Sequence, residues 1–320
     1  MSVVFMFPGQ SSRYPGMLSE LAALDERNRL LLETASDVLD RDLVAHFSED
    51  NPDAYRRNGD VQLGVFLANH LSLQLLQAAG IRAVASLGLS LGEWNHLVHI
   101  GALSFHQALR AVAARGAAYD AGPRGAMASV FPMELDELQA VVDGIELPGV
   151  LEITNLNSPR QQVLSGETAA VEEAVRVLED EHFIQAVIIE RQVPMHSSLF
   201  EPVGRAFREV LEGLDFASPR LPYLPNRVGR LLHEPTQAEF VELLSSHVHR
   251  PVLWRKSIDL VVESWPDVVL VEVGPKAVLY NLLDRKWHRG VHKLHTDTNE
   301  DKAAQLDQVI ATLRSHGAKG

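Results

Sequence analysis

The stretch "ASLGLSLGEWNHL", residues 85–97, decides how this chain is read. A short apolar run ends in Gly88-Leu89-Ser90-Leu91-Gly92, and a helical pattern begins at once. Glycines two residues either side of a serine suit a strained strand-to-helix turn, because they let neighbouring backbone approach. The helix that follows points the positive end of its dipole at the serine. On the pattern alone two readings stand: a nucleophile held on an elbow, or a serine that caps a helix.

Outward from the elbow, the chain opens on "VVFMF", a buried-strand pattern that breaks at Pro8-Gly9-Gln10. Helical periodicity runs over 17–40 and 61–79. The segment "VQLGVFLANHLSLQLLQAAG" is apolar on nearly every face, which predicts a buried helix ending at Gly80. Ser104 is placed to cap the helix that follows the elbow helix. Alternating strands and helices predict an α/β layered core. The middle of the chain reads β-α-β-β-α-β: "GAMASVFP", "MELDELQAVVDG", "LEITNLN", "QQVLSG", "ETAAVEEAVRVLED" and "IQAVIIE". That order is the ferredoxin-like unit. The expected fold class is therefore α/β, with an α/β-hydrolase-like large domain on a parallel sheet (1–124 and 192–320) and an inserted ferredoxin-like subdomain (125–191). "DVVLVEVGP" predicts a late buried strand.

Composition narrows the chemistry. The 320 residues are 46% hydrophobic and 22% charged, enough to bury a large core. There is no cysteine, which excludes thiolate nucleophiles, thiolate metal ligands and disulfides. The net charge of −13 argues against nucleic acid or an anionic membrane as a partner of the whole surface. Neither an 18-residue apolar run nor a basic, apolar leader is present, so a cytoplasmic location is expected. "FPGQSSRYPGM" has neither the spacing nor the lysine of a phosphate-cradling loop. An activated serine needs a base, and of the 14 histidines His196 stands where the chain leaves the inserted unit and starts a helix. His96 and His99 point away from the elbow by their spacing.

Eight landmarks in order resemble the malonyl-CoA:acyl-carrier-protein transacylase family, which includes acyltransferase domains of polyketide and fatty-acid synthases. They are "FPGQSSRYPGM", "GLSLGE", "RGAAYDAGPRGAMASV", "NLNSPRQQVLSG", "VPMH", "PNRVG", "HVHRPVLW" and "VEVGPKAVL". The resemblance implies that Ser90 is the nucleophile and His196 its base, the latter held by a backbone carbonyl matched here to Asn226. It implies an oxyanion hole from Gln10 and the Leu91 amide. It implies that Arg115 grips a substrate carboxylate, against the plainer reading of a surface arginine paired with Asp120. Met195, Phe200 and Leu89 complete the expected substrate contacts, and no metal or bound cofactor is expected.

The implied reaction is ping-pong acyl transfer from acyl-CoA or an acyl carrier protein onto a carrier's phosphopantetheine thiol. The implied setting is a discrete member of a polyketide pathway. Two other functions fit the same residues: an acyl-carrier-protein thioesterase and a non-catalytic carrier-binding protein. One departure stands inside the elbow. Leu89 occupies the place of the family's histidine, which predicts an apolar wall and an acyl group bulkier than malonyl. For an acidic carrier, the basic residues expected to meet it are Arg205, Arg208, Arg227, Arg230, Arg250, Arg255 and Lys256.

Overall fold

The computed structural model describes residues 1–283, 286–297 and 301–315. The first strand, β1 (Ser2–Phe7), lies at the centre of a parallel four-stranded sheet. Its neighbours are β2 (Ala85–Gly88) and β7 (Val268–Glu272), and β8 (His292–His295) forms the edge, giving the order β2-β1-β7-β8. In register, Phe7 stands beside Gly88 and Met6 beside Glu272. A parallel sheet is covered on both faces, so its strands are apolar throughout rather than alternating. The opening strand obeys this: Val3, Phe5 and Phe7 enter one core cluster, Val4 and Met6 the other, and each is 3% exposed or less.

The helix Asn58–Ala78 crosses one of these faces, with Phe66, Leu67 and Leu71 fully buried. Each such side chain contributes about 1.5–3 kcal/mol on burial. Gly80, at φ 82°, ends the run as expected from its left-handed freedom. The periodic segment 17–40 is two helices, Met17–Leu24 and Glu26–Leu39. They divide at Asp25, which is extended and accepts the Arg27 N–H as an N-cap. An aspartate cap can begin a new helix without interrupting the apolar period, so periodicity alone did not show the break. Ser104 caps helix Phe105–Asp120 with a full capping box.

A second, antiparallel sheet comprises β3 (Ala126–Phe131), β4 (Leu151–Ser158), β5 (Gln161–Gly166) and β6 (Gln185–Glu190), in the order β4-β5-β3-β6. Helices Leu135–Asp143 and Thr168–Asp180 cover one face, which is the ferredoxin-like arrangement. The two units meet where β4 pairs with the large domain: Leu156 donates to the Val252 carbonyl, and Val252 to that of Thr154. Among the described residues no helix is long and apolar enough to cross a membrane.

Candidate active site

β2 ends at Gly88, and the chain turns through Ser90 at φ 51°, a left-handed conformation that costs a non-glycine residue about 1–3 kcal/mol. The turn closes only because its glycines have no side chains. A Cβ on Gly88 would sit 2.0 Å from the Gly92 carbonyl, and one on Gly92 would sit 2.0 Å from the Phe7 oxygen. Helix Gly92–His99 then starts directly behind the serine. Ser90 Oγ lies 2.8 Å from His196 Nε2. His196, at φ 64°, is 1% exposed and bonds through Nδ1 to the His247 carbonyl at 2.7 Å. That bond makes Nδ1 the protonated nitrogen and leaves Nε2 with its lone pair toward the serine.

The carbonyl behind the histidine thus belongs to His247 and not to Asn226. Asn226 serves the other partner. Its Oδ1 accepts the Ser90 N–H at 2.9 Å, and its Nδ2 donates to the Gly88 carbonyl at 2.7 Å. Every residue has a backbone carbonyl, so nothing in the side-chain pattern marks which one the fold brings up to Nδ1.

The first loop closes over the elbow. A Cβ on Gly9 would lie 3.0 Å from the Leu89 oxygen and 3.8 Å from Ser90 Cβ. The Gln10 and Leu91 N–H groups, one following this contact and one following Ser90, have no acceptor among the described residues. Two free amides at this position can stabilise an oxyanion. The Gln10 side chain donates to Glu190 at 3.4 Å, and both residues line the cleft. Leu89, Met195, Ile189, Asn155 and Asn157 line the cleft with Ser90 and His196, enclosing a volume of ≈ 80 Å³. Leu89 is 7% exposed and shares its packing with Met6 and Val252.

Arg115 is 2% exposed. It donates through Nη1 to Gln62 Oε1 and lies over the Tyr119 ring at 4.2 Å, while Nη2 has no partner. Asp120 is engaged elsewhere, accepting the Asn58 and Gly59 N–H groups at the start of the buried helix. Burial pushes the Arg115 guanidinium below its ordinary range, with Tyr119 and Glu93 opposing. Like Arg115, Phe200 is not among the residues that line the cleft. It is fully buried and packs edge-on against Tyr119 at 5.0 Å, one layer behind Arg115. His96 is buried beneath the sheet, bonded to Ser86 and to the Leu224 N–H, away from the cleft. Among the described residues no group of three or more His, Asp or Glu side chains is placed to hold a metal.

Burial drives the His196 imidazole well below its usual range, and the His247 ring, Arg115 and Arg227 push the same way against the bond to the His247 carbonyl. A base works in its neutral form, and a lowered pKa keeps that form as the pH falls. The expected result is a kcat/KM for enzyme acylation that stays flat from pH 8 through the usual imidazole value of about 6.5. An acidic limb with its midpoint at or above that value would contradict this placement of His196.

Residues 4–312 match the family model described as the acyl transferase domain. The chain belongs to the acyl transferase family. Among curated relatives, this acyltransferase is 30% identical over 288 residues to the malonyl CoA-acyl carrier protein transacylase of Bacillus subtilis, covering 88% of this chain and 90% of the relative. It is 30% identical over 285 residues to the polyketide biosynthesis protein ThaF of Burkholderia thailandensis, of which the match covers 24%. Among solved structures it superimposes at a TM-score of 0.88 and 27% identity on a malonyl-transacylase in complex with a type II polyketide-synthase acyl-carrier protein, over 98% of this chain and 100% of that one.

Two residues of the site lay inside family landmarks with no role assigned to them. His247 lies inside "HVHRPVLW" and contributes through its backbone, and Glu93 is the last residue of "GLSLGE", where an acid reads as an ordinary first-turn helix residue.

Proposed function

We propose that this acyltransferase moves a short, carboxylate-bearing acyl group, malonyl or a 2-substituted malonyl, from coenzyme A to the phosphopantetheine thiol of an acyl carrier protein. Two observations carry the reading: the Ser90–His196 pair, and a buried Arg115 whose charge reaches His196 and whose Nη2 has no partner. A desolvated guanidinium with one nitrogen left unpaired is costly unless a ligand completes it, and a carboxylate is the group its fork fits. Leu89 and Met195 offer an apolar wall where a 2-substituent gains about 0.8 kcal/mol for each methylene it buries. Relatives named for malonyl transfer and for polyketide biosynthesis support the same reading.

In this mechanism Ser90 Oγ attacks the thioester carbonyl while His196 Nε2 takes its proton. The Gln10 and Leu91 amides hold the oxyanion, and collapse expels the thiol, which regains the proton from His196. A carrier thiol then gives its proton to His196 and attacks the acyl-serine ester, and Ser90 leaves reprotonated. Of the basic residues expected to meet a carrier, Arg205, Arg208 and Arg255 are tied to Glu201, to Glu212 with Glu242, and to Asp259. Arg227, Arg230, Arg250 and Lys256 have no carboxylate within ion-pair distance among the described residues, and they form the better candidate patch, with Arg230, Arg250 and Lys256 exposed.

Intact-mass measurement after exposure to malonyl, 2-methylmalonyl, acetyl and octanoyl thioesters tests the proposal. A covalent adduct from the carboxyacyl donors, discharged faster by a holo carrier than by water, is the expected result. Adducts only from acetyl or octanoyl donors would overturn the substrate class. Discharge by water at the same rate as by carrier would make the protein a thioesterase instead.

A further inference from the structure

Glu93 follows the nucleophile by three residues, and its side chain is 1% exposed. Its carboxylate accepts from the Tyr223 hydroxyl at 2.5 Å and from Asn226 Nδ2 at 2.8 Å, and Oε2 lies 3.0 Å from His247 Nδ1. Two of these three partners lead into the reacting pair. Asn226 accepts the Ser90 N–H and donates to the Gly88 carbonyl, so one amide grips both the strand end and the elbow. His247 supplies the carbonyl that receives His196 Nδ1–H, and its ring stacks on that of His196 with centroids 4.9 Å apart at 20°. His247 Nε2 has no partner, so the bond to Glu93 is the ring's one polar anchor.

We propose that Glu93 is a positioning residue for acyl transfer, locking Ser90 through Asn226 and His196 through His247 while touching neither. The proposal rests on the acyl-serine reading above and adds to it the support that a histidine resting on a neutral carbonyl lacks. Proton transfer needs the two heavy atoms held within about 2.6–3.2 Å. His196 leans on the carbonyl at the last residue of helix Gln237–His247, and a carbonyl at a helix end is no more fixed than the side chains that pin it. One buried carboxylate bonded to three segments supplies that fixity, because losing it would leave the Tyr223 hydroxyl and His247 Nδ1 buried without a partner and Asn226 Nδ2 with the Gly88 carbonyl alone.

Glu93→Gln keeps the volume but turns one acceptor oxygen into a donor that faces other donors. Relative to wild type, kcat for acylation by a malonyl thioester is expected to fall roughly 10- to 100-fold, the cost of a small misplacement of reacting groups. KM is expected to stay within about twofold, and Tm to remain well above the assay temperature. His247→Phe keeps the stacked ring and the backbone carbonyl but cuts the link to Glu93, and it is expected to lower kcat in the same way. The double variant is expected to lose little more than Glu93→Gln alone, since both changes break one path. Wild-type kcat in Glu93→Gln, or a loss matched by the fraction of unfolded protein, would overturn the proposal. If Glu93→Gln does not fold, the kcat of His247→Phe decides by the same criteria. Failure of the underlying reading is separate: it would appear as acylation of Ser90→Ala, whatever Glu93 does.

Discussion

Ser90→Ala is expected to abolish the covalent acyl-enzyme while leaving the fold intact. The first half follows because no cysteine exists to substitute as nucleophile, and Ser90 Oγ is the oxygen within 2.8 Å of His196 Nε2. The second half follows because the Ser90 contacts that shape the elbow run through its backbone N–H to Asn226, which alanine keeps. Removing the base instead is expected to slow acylation by the ~10²–10⁴-fold that a general base supplies. His196→Ala also opens a buried site against the His247 ring, so it is the variant whose thermal melting needs checking alongside its rate. Intact-mass spectra with a malonyl thioester check both. A Ser90→Ala protein that still gains an acyl mass would remove Ser90 from the mechanism.

The second large effect concerns Arg115. If a substrate carboxylate completes its guanidinium, Arg115→Ala removes a desolvated charge pair. That costs about 2–5 kcal/mol, or roughly 30–4,000-fold in kcat/KM for a malonyl donor. An acetyl donor makes no such pair, and its kcat/KM is expected to change by only a few-fold. The contrast between donors separates recognition from packing. Arg115 also lies over Tyr119, which in turn meets Phe200, so a purely structural arginine would damage both reactions alike. Equal losses on the two donors would assign it that role.

How much of this was legible before the fold was seen depends on the range of the physics involved. The elbow was in part, because one of its constraints is local: a Cβ on Gly88 would collide with Gly92 four residues on, whereas the collision of a Gly92 Cβ with the Phe7 carbonyl, 85 positions away, exists only in the fold. The buried helix and the β-α-β-β-α-β order were also readable, since apolar periodicity records which face each element hides. The helix break at Asp25 was not, because a capping aspartate leaves the apolar period undisturbed. His196 was singled out by its place in the chain and by resemblance, and no pattern in the sequence sets it 2.8 Å from Ser90.

The sequence by itself determined the α/β architecture, the strained serine turn, the absence of a cysteine nucleophile and the family landmarks that named Ser90, His196 and Arg115. Those features are written in residue type and spacing. Only the tertiary structure decided what stands behind them. It gave the histidine's support to the His247 carbonyl and moved Asn226 to the elbow. It set Phe200 behind Tyr119 rather than in the cleft, and left the buried Arg115 without a carboxylate. It also joined Glu93 to both halves of the site. The reason is the same in each case. A backbone carbonyl, an unfilled hydrogen bond or a contact between residues distant along the chain has no signature in residue type, and exists only once the chain has packed.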